Sequence, residues 1–188
     1  MHQLKIKLAK LLYAKSYREG KFTLTSGRES DYYFDCKPTA LHPQGAYLIG
    51  KILFQLIKNM KTPIQGVGGM TLGADPLVSA VTVVSYLENY PLPGIIVRKK
   101  AKGHGTNQFL EGLDNFQRGD QVCVLEDVVT TGGSALKACR CIQEAGLKVK
   151  AIICILDREE GGRQQIQAQG YELYSVFTRE ELLTMVKG

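Results

Sequence analysis

Val122-Cys123-Val124-Leu125-Glu126-Asp127-Val128-Val129-Thr130-Thr131-Gly132-Gly133-Ser134 is the stretch that decides how this chain folds. Its first four residues are apolar in succession, which predicts a buried parallel strand. Two adjacent carboxylates, Glu126 and Asp127, stand where that strand is expected to end. A small-residue turn, Thr130 to Ser134, follows, and Ala135-Leu136-Lys137-Ala138-Cys139 begins a helix. In open α/β sheets, ligands bind at the carboxyl ends of strands. A helix N-terminus built from Gly and Ser/Thr offers an anion unpaired N–H groups and a positive dipole end. Carboxylates beside such a cradle would repel a bare phosphate. They fit a ligand that carries hydroxyl donors, or a divalent cation, next to its phosphate, and a sugar phosphate meets both demands. The bland alternative is an ordinary strand–turn–helix with a polar turn. Paired carboxylates followed by T-T-G-G-S weigh against it.

The rest of the chain narrows the class. Its 188 residues suit one domain with a sizeable core, and 44% hydrophobic with 22% charged residues is the composition of a soluble globular protein. No apolar run reaches the roughly eighteen residues of a membrane span. The amphipathic start Met1-His2-Gln3-Leu4-Lys5-Ile6-Lys7-Leu8 lacks a signal-peptide core, so a cytoplasmic location is expected. Cys36, Cys123, Cys139, Cys141 and Cys154 lie mostly in apolar stretches, are odd in number and show no metal-site spacing. They read as reduced thiols. The formal charge of +6 favours an anionic partner. Its one dense basic cluster, Arg98-Lys99-Lys100-Ala101-Lys102-Gly103-His104, has no aromatic residue among the cations. A nucleic-acid groove would interleave rings, so the expectation is a small polyanion, with neither nucleic acid nor membrane as partner.

Hydrophobic spacing predicts a helix over 3–15, an extended piece over 20–27, an aromatic strand over 32–37 and a helix over 43–60 with Pro43 at its start. Strands and helices then alternate: strand 64–67, helix 75–87, strand 94–97, strand 121–125, a helix closed by Gly146, strand 149–156, helix 163–168 and strand 171–177. Thr178 and Glu181 are placed to form a capping box for a last helix. This repeat implies an α/β fold with a mainly parallel central sheet and helices on both faces. Residues 1–40 stand outside the repeat and are expected to form a small cap, or hood, over the strand ends of a single domain spanning 1–188.

Four further segments carry candidate chemistry. The connection 98–112 holds the basic cluster, lacks helical periodicity and is long for its place, as an active-site lid would be. Gly66-Val67-Gly68-Gly69-Met70-Thr71-Leu72-Gly73 is either a second anion-binding turn or a turn of tight packing; it is neither a P-loop nor a dinucleotide fingerprint. Arg158, in Leu156-Asp157-Arg158-Glu159-Glu160-Gly161-Gly162, can fork to a ligand carboxylate or pair with a neighbouring Glu. The aromatic stretch from Phe22 to Asp35 could frame a flat base or simply be core.

In order along the chain, F-T-L-x-S-G-R-x-S-x-Y-Y, R-K-x-A-K-x-H-G, E-D-V-V-T-T-G-G-S and L-D-R-x-E-x-G resemble the type I phosphoribosyltransferases. The first, second and fourth narrow the resemblance to the orotate-specific family. It implies transfer of ribose 5-phosphate from 5-phosphoribosyl 1-diphosphate to N1 of orotate, with Mg²⁺ held mainly through substrate oxygens. By this resemblance, Arg98, Lys99, Lys102 and His104 contact the diphosphate. Glu126 and Asp127 hold the ribose hydroxyls, and residues 128 to 134 (Val128, Val129, Thr130, Thr131, Gly132, Gly133, Ser134) bind the 5-phosphate. Thr130 and Arg158 face the orotate carboxylate, Tyr33 and Phe34 pack on the pyrimidine, and catalysis falls to Lys102, His104 and Asp127. A homodimer sharing its lids between subunits is also implied. Thr25, Leu72 and Gly103 depart from residues found in some family members, Lys, Lys and Asp respectively. The rival readings are a phosphoribosyltransferase for a purine base, which would have no use for Arg158, and a non-enzymatic regulator on the same fold.

Overall fold

Strand β6 (Gln121–Val129) is the axis of the fold, paired in parallel with β3 (Gly66–Met70) on one side and β7 (Lys148–Asp157) on the other. Beyond β3 lies β4 (Gly94–Val97), beyond β7 lies β8 (Glu172–Thr178), and both pairings are parallel. A two-residue strand β5 (Leu110–Glu111) adds an antiparallel edge to β4, giving the order β5-β4-β3-β6-β7-β8. The computed structural model describes residues 1–23, 29–99 and 109–187.

Strand alternation sends the residues of β6 to two cores. Cys123 and Leu125 join a cluster with Leu8 and Leu12 of α1 (His2–Ser16), Ile49 and Leu53 of α3 (Pro43–Lys58), Leu77 and Val81 of α4 (Asp75–Leu87), and Leu182 of α7 (Arg179–Lys187). Val122 and Val124 turn the other way, onto Ala138, Cys139 and Ile142 of α5 (Gly133–Glu144) and Ile166 of α6 (Gly162–Ala168). Helices therefore cover both faces of a mainly parallel sheet, as the repeat of strands and helices predicts. All five cysteines are free thiols, four of them buried, and burial pushes the Cys123 and Cys139 thiols up to about 12. No helix among the described residues is long and apolar enough to cross a membrane.

Two expectations change. Glu126 and Asp127 lie within β6, not beyond its end. Pairing with β3 stops at Gly68–Val124, whereas pairing with β7 continues to Val129–Asp157. The acid pair thus sits where the strand has lost one neighbour and kept the other, and composition alone does not reveal that half-open edge. The first forty residues also divide. Helix α1 enters the main core and packs on α3 and α7, while β1 (Tyr17–Thr23) and β2 (Glu29–Phe34) form their own antiparallel pair. A short helix, α2 (Lys37–Ala40), follows them where a continuing strand was expected. The capping box of α7 is present: the Thr178 amide donates to Glu181 at 2.9 Å, and the Glu181 amide donates to Thr178 Oγ1 at 3.2 Å.

Candidate active site

A cavity of about 540 Å³ opens beyond the carboxyl ends of β6 and β7. One wall is the turn from Thr130 into α5. Gly132 there has φ +81°, and a Cβ would press the Ile166 side chain at 3.0 Å, so the turn needs glycine. Gly132 is also the N-cap of α5, and no side chain caps the helix. The first-turn amides at Gly133 and Ser134 are left for a ligand, with the positive end of the helix dipole behind them. Thr130 and Thr131 add hydroxyls to this wall.

The two carboxylates separate. Asp127 lines the cavity, its Oδ1 accepting the Val128 amide at 2.9 Å. Gly73 packs so close that a Cβ would stand 2.6 Å from that oxygen. Gly69 likewise leaves no room, 2.4 Å from the Leu125 carbonyl. Gly69 and Gly73 thus serve close packing against β6, while a Cβ at Gly66 would meet Phe116 and one at Gly68 would meet Ile142 and Ile95. Glu126 is 5% exposed and does not line the cavity. Its Oε2 accepts the Ser134 hydroxyl at 2.6 Å and its Oε1 the Asp127 amide at 3.2 Å. Burial first, then the charge of Asp127, push the Glu126 carboxyl well above the usual carboxylate range.

The opposite wall comes from Tyr33, Phe34 and Arg158. Tyr33 is exposed and tilts against Phe22 with centroids 5.5 Å apart, while Phe34 is buried. Arg158 follows β7 directly, and its amide donates to the Val129 carbonyl at 2.9 Å, linking this wall to the turn. Asp157, fully buried, anchors the strand end. It accepts from Arg163 Nε at 3.0 Å and from the Glu159 amide at 2.9 Å.

Other sequence-predicted residues lie elsewhere. The Val129 side chain is in the core, so only its backbone stands beside the turn. Arg98 and Lys99 border a separate cleft of about 450 Å³ with Thr71 and Glu111, where Arg98 Nη1 donates to Glu111 Oε1 at 2.9 Å. Lys102 and His104, with Thr25 and Gly103, fall outside the described residues. Leu72 is exposed and follows Thr71, which lines that second cleft. Two lining residues were not singled out in sequence: Lys37, and Asp35, which was read only as the end of the aromatic stretch. Lys37 Nζ donates to Asp35 Oδ1 at 2.6 Å, and that bond raises the Lys37 ammonium above its ordinary value. The available signal was a charged pair directly after an aromatic strand. Among the described residues, no three His, Cys, Asp or Glu side chains cluster as metal ligands.

A parallel sheet whose axial strand carries an acid pair into a T-T-G-G-S turn, with an uncapped helix behind it, defines a type I phosphoribosyltransferase. No protein-family model matches the chain. It is 49% identical to orotate phosphoribosyltransferase from Nostoc sp. over 95% of this chain and 85% of that protein. The orotate phosphoribosyltransferase of Aquifex aeolicus is 46% identical over 94% of this chain and 96% of its own length. Among solved structures, Mycobacterium tuberculosis orotate phosphoribosyltransferase in complex with 5-phospho-α-D-ribosyl 1-diphosphate superposes with a TM-score of 0.77. It is 32% identical, covering 95% of this chain and 98% of that one. The chain belongs to the orotate phosphoribosyltransferase family.

Proposed function

We propose that this chain transfers the 5-phosphoribosyl group from 5-phosphoribosyl 1-diphosphate to N1 of orotate. The observation that carries the reading is one cavity with an anion-binding helix start on one wall and an arginine with aromatic rings on the other. The C1–O bond breaks, its electron pair leaves with the diphosphate, and the C1–N1 bond forms. Positive charge grows on the sugar and negative charge on the leaving group, so groups fixed at both ends lower the barrier. The amides and hydroxyls of residues 130–134 hold the 5-phosphate, and the Asp127 carboxylate receives the ribose hydroxyls. Glu126 acts from behind, orienting Ser134 and the Asp127 backbone. Arg158 takes the orotate carboxylate, and Tyr33 and Phe34 flank the ring under a hood formed by β1 and β2. Lys102 and His104, on the lid rooted at Arg98 and Lys99, neutralise the departing diphosphate.

Two carboxylates line the cavity, Asp127 and the Lys37-paired Asp35, and so small a set beside substrate oxygens suits Mg²⁺, which keeps most of its shell as water and phosphate oxygen. When bound, the ion would offset the diphosphate's charge.

The reading includes a homodimer, with lids serving the neighbouring site. Its support is α4: in Asp75–Leu87 the only charged residue is Asp75, and Val83, Tyr86 and Leu87 stand exposed. A surface helix that exposes large apolar side chains and almost no charge needs cover.

The test is orotate depletion, followed by absorbance, with the sugar diphosphate and Mg²⁺, beside adenine, hypoxanthine and uracil. Orotate should be consumed well ahead of the others. Faster use of a purine, or none of orotate, ends the proposal.

A further inference from the structure

Arg158 is a cation taken almost entirely out of water, with a side chain 4% exposed. A guanidinium in that state needs partners for its donors and its charge. One neighbour close in sequence and two from the N-terminal strands supply them. Glu160 Oε1 accepts from Nε at 2.7 Å, and Ser30 Oγ accepts from Nη2 at 3.0 Å. The guanidinium carbon also lies 4.4 Å from the centroid of the Tyr32 ring. Ser30 is itself fixed to Tyr32, its hydroxyl donating to the Tyr32 carbonyl at 2.7 Å. Nη1 makes no hydrogen bond among the described residues, and Arg158 lines the cavity.

Tyr32 is held in turn by a column of rings. Tyr17 stacks on it at 5.5 Å, and Tyr13 of α1 stacks on Tyr17 at 5.4 Å. Arg179 of α7 rests on the same ring at 4.1 Å, tied to Asp31 Oδ2 at 2.9 Å. The Tyr32 hydroxyl is buried and has no hydrogen-bond partner among the described residues. Buried tyrosines ordinarily use that group. Here the face of the ring is what touches the site.

We propose that Tyr32 is a positioning residue for base recognition: its ring, braced by Tyr17 and shared with Arg179, holds the Arg158 guanidinium in the orientation that meets a carboxylate. The proposal rests on Arg158 being the carboxylate's partner. A guanidinium recognises a carboxylate through a planar fork, so orientation matters as much as charge. An arginine released from the ring keeps its charge and loses the fork. Ligands with a carboxylate on the base should then suffer, and ligands without one should not.

Orotidine 5′-monophosphate and uridine 5′-monophosphate differ only in that carboxylate. Their dissociation constants, measured by calorimetry on the full chain, read the proposal directly. Tyr32→Leu should lower the preference for the carboxylated nucleotide about tenfold, the scale of a desolvated cation–π contact, with uridine monophosphate affinity little changed. Tyr32→Phe should behave as the parent. A ring-fluorinated phenylalanine at position 32 keeps the shape, weakens the ring's negative face, and should act like leucine even if Tyr32→Leu folds poorly. Equal weakening of both nucleotides, an unchanged preference in the fluorinated protein, or Tyr32→Phe as damaged as Tyr32→Leu overturns the positioning role. Arg158→Met should abolish the preference. If it does not, the carboxylate reading itself fails, and the role of Tyr32 falls with it.

Discussion

Glu126 and Asp127 are neighbours on β6, and a pleated strand turns neighbouring side chains to opposite sides. The motif made both legible as an acid pair, but not that one would line the cavity and the other be buried on Ser134. The difference has a pH signature. Burial and the Asp127 charge raise the Glu126 carboxyl in the folded chain, whereas in the unfolded chain it titrates near its ordinary value of about 4.3. As pH rises above that value, the unfolded state gives up the proton while the native state keeps it. Stability then falls with pH, because the native state binds more protons. Glu126→Gln removes the titration and keeps an acceptor for Ser134. Thermal melts of ligand-free protein should show little difference between variant and parent near about pH 5 and a clear advantage for Glu126→Gln near about pH 8.5. A gap that stays constant with pH would show that Glu126 does not titrate abnormally. Lys37 shows the limit of reading at this scale: its contact with Asp35 depends on where β2 stops and α2 begins, which no motif encodes.

At the scale of elements, α4 and β4 were readable to the residue, because Pro76, the apolar period and the run Gly94–Val97 bound them without tertiary help. The length of β6 was not, since it is set by which neighbours continue alongside it. The two-residue β5 and the short α2 were also invisible, being too brief to leave a period. Helix α4 was legible as a helix, and the proposed dimer would cover its outer face. Its exposed Val83 (61%) and Tyr86 (75%) make the dimer reading testable. Burying a carboxylate in an apolar contact costs several kcal/mol. The double change Val83→Glu with Tyr86→Glu should therefore weaken self-association by more than about a hundredfold. Sedimentation equilibrium should find monomers with an unchanged circular-dichroism spectrum, and turnover should fall because the lids lose their neighbour. A dimer of undiminished affinity would place the interface on another face.

Across the whole molecule, the site borrows from nearly every part of the chain. Tyr33 comes from the hairpin, Asp127 from the central strand, Ser134 from the start of α5, and Arg158 from the end of β7. Beyond the ladder of β6 with β7, few bonds among the described residues join these pieces at the site: Arg158 to Ser30, Glu126 to Ser134, and the Arg158 amide to the Val129 carbonyl. A ligand spanning the cavity would add links that only the folded chain can make, so binding should appear as stability. With 5-phosphoribosyl 1-diphosphate and Mg²⁺ at about a hundred times the dissociation constant, linkage supplies about 2.7 kcal/mol. For a domain of this size that is a rise in Tm of roughly 5–10 °C. Most of the rise should vanish when EDTA removes the cation, because the sugar diphosphate then brings its full charge against Asp127. The Asp127→Asn variant separates the two contributions: its neutral amide oxygen accepts the hydroxyls more weakly but the repulsion is gone, so its smaller shift should depend less on Mg²⁺. A shift of the same size with and without EDTA in the parent protein would mean that the ion takes no part in holding the substrate over β6.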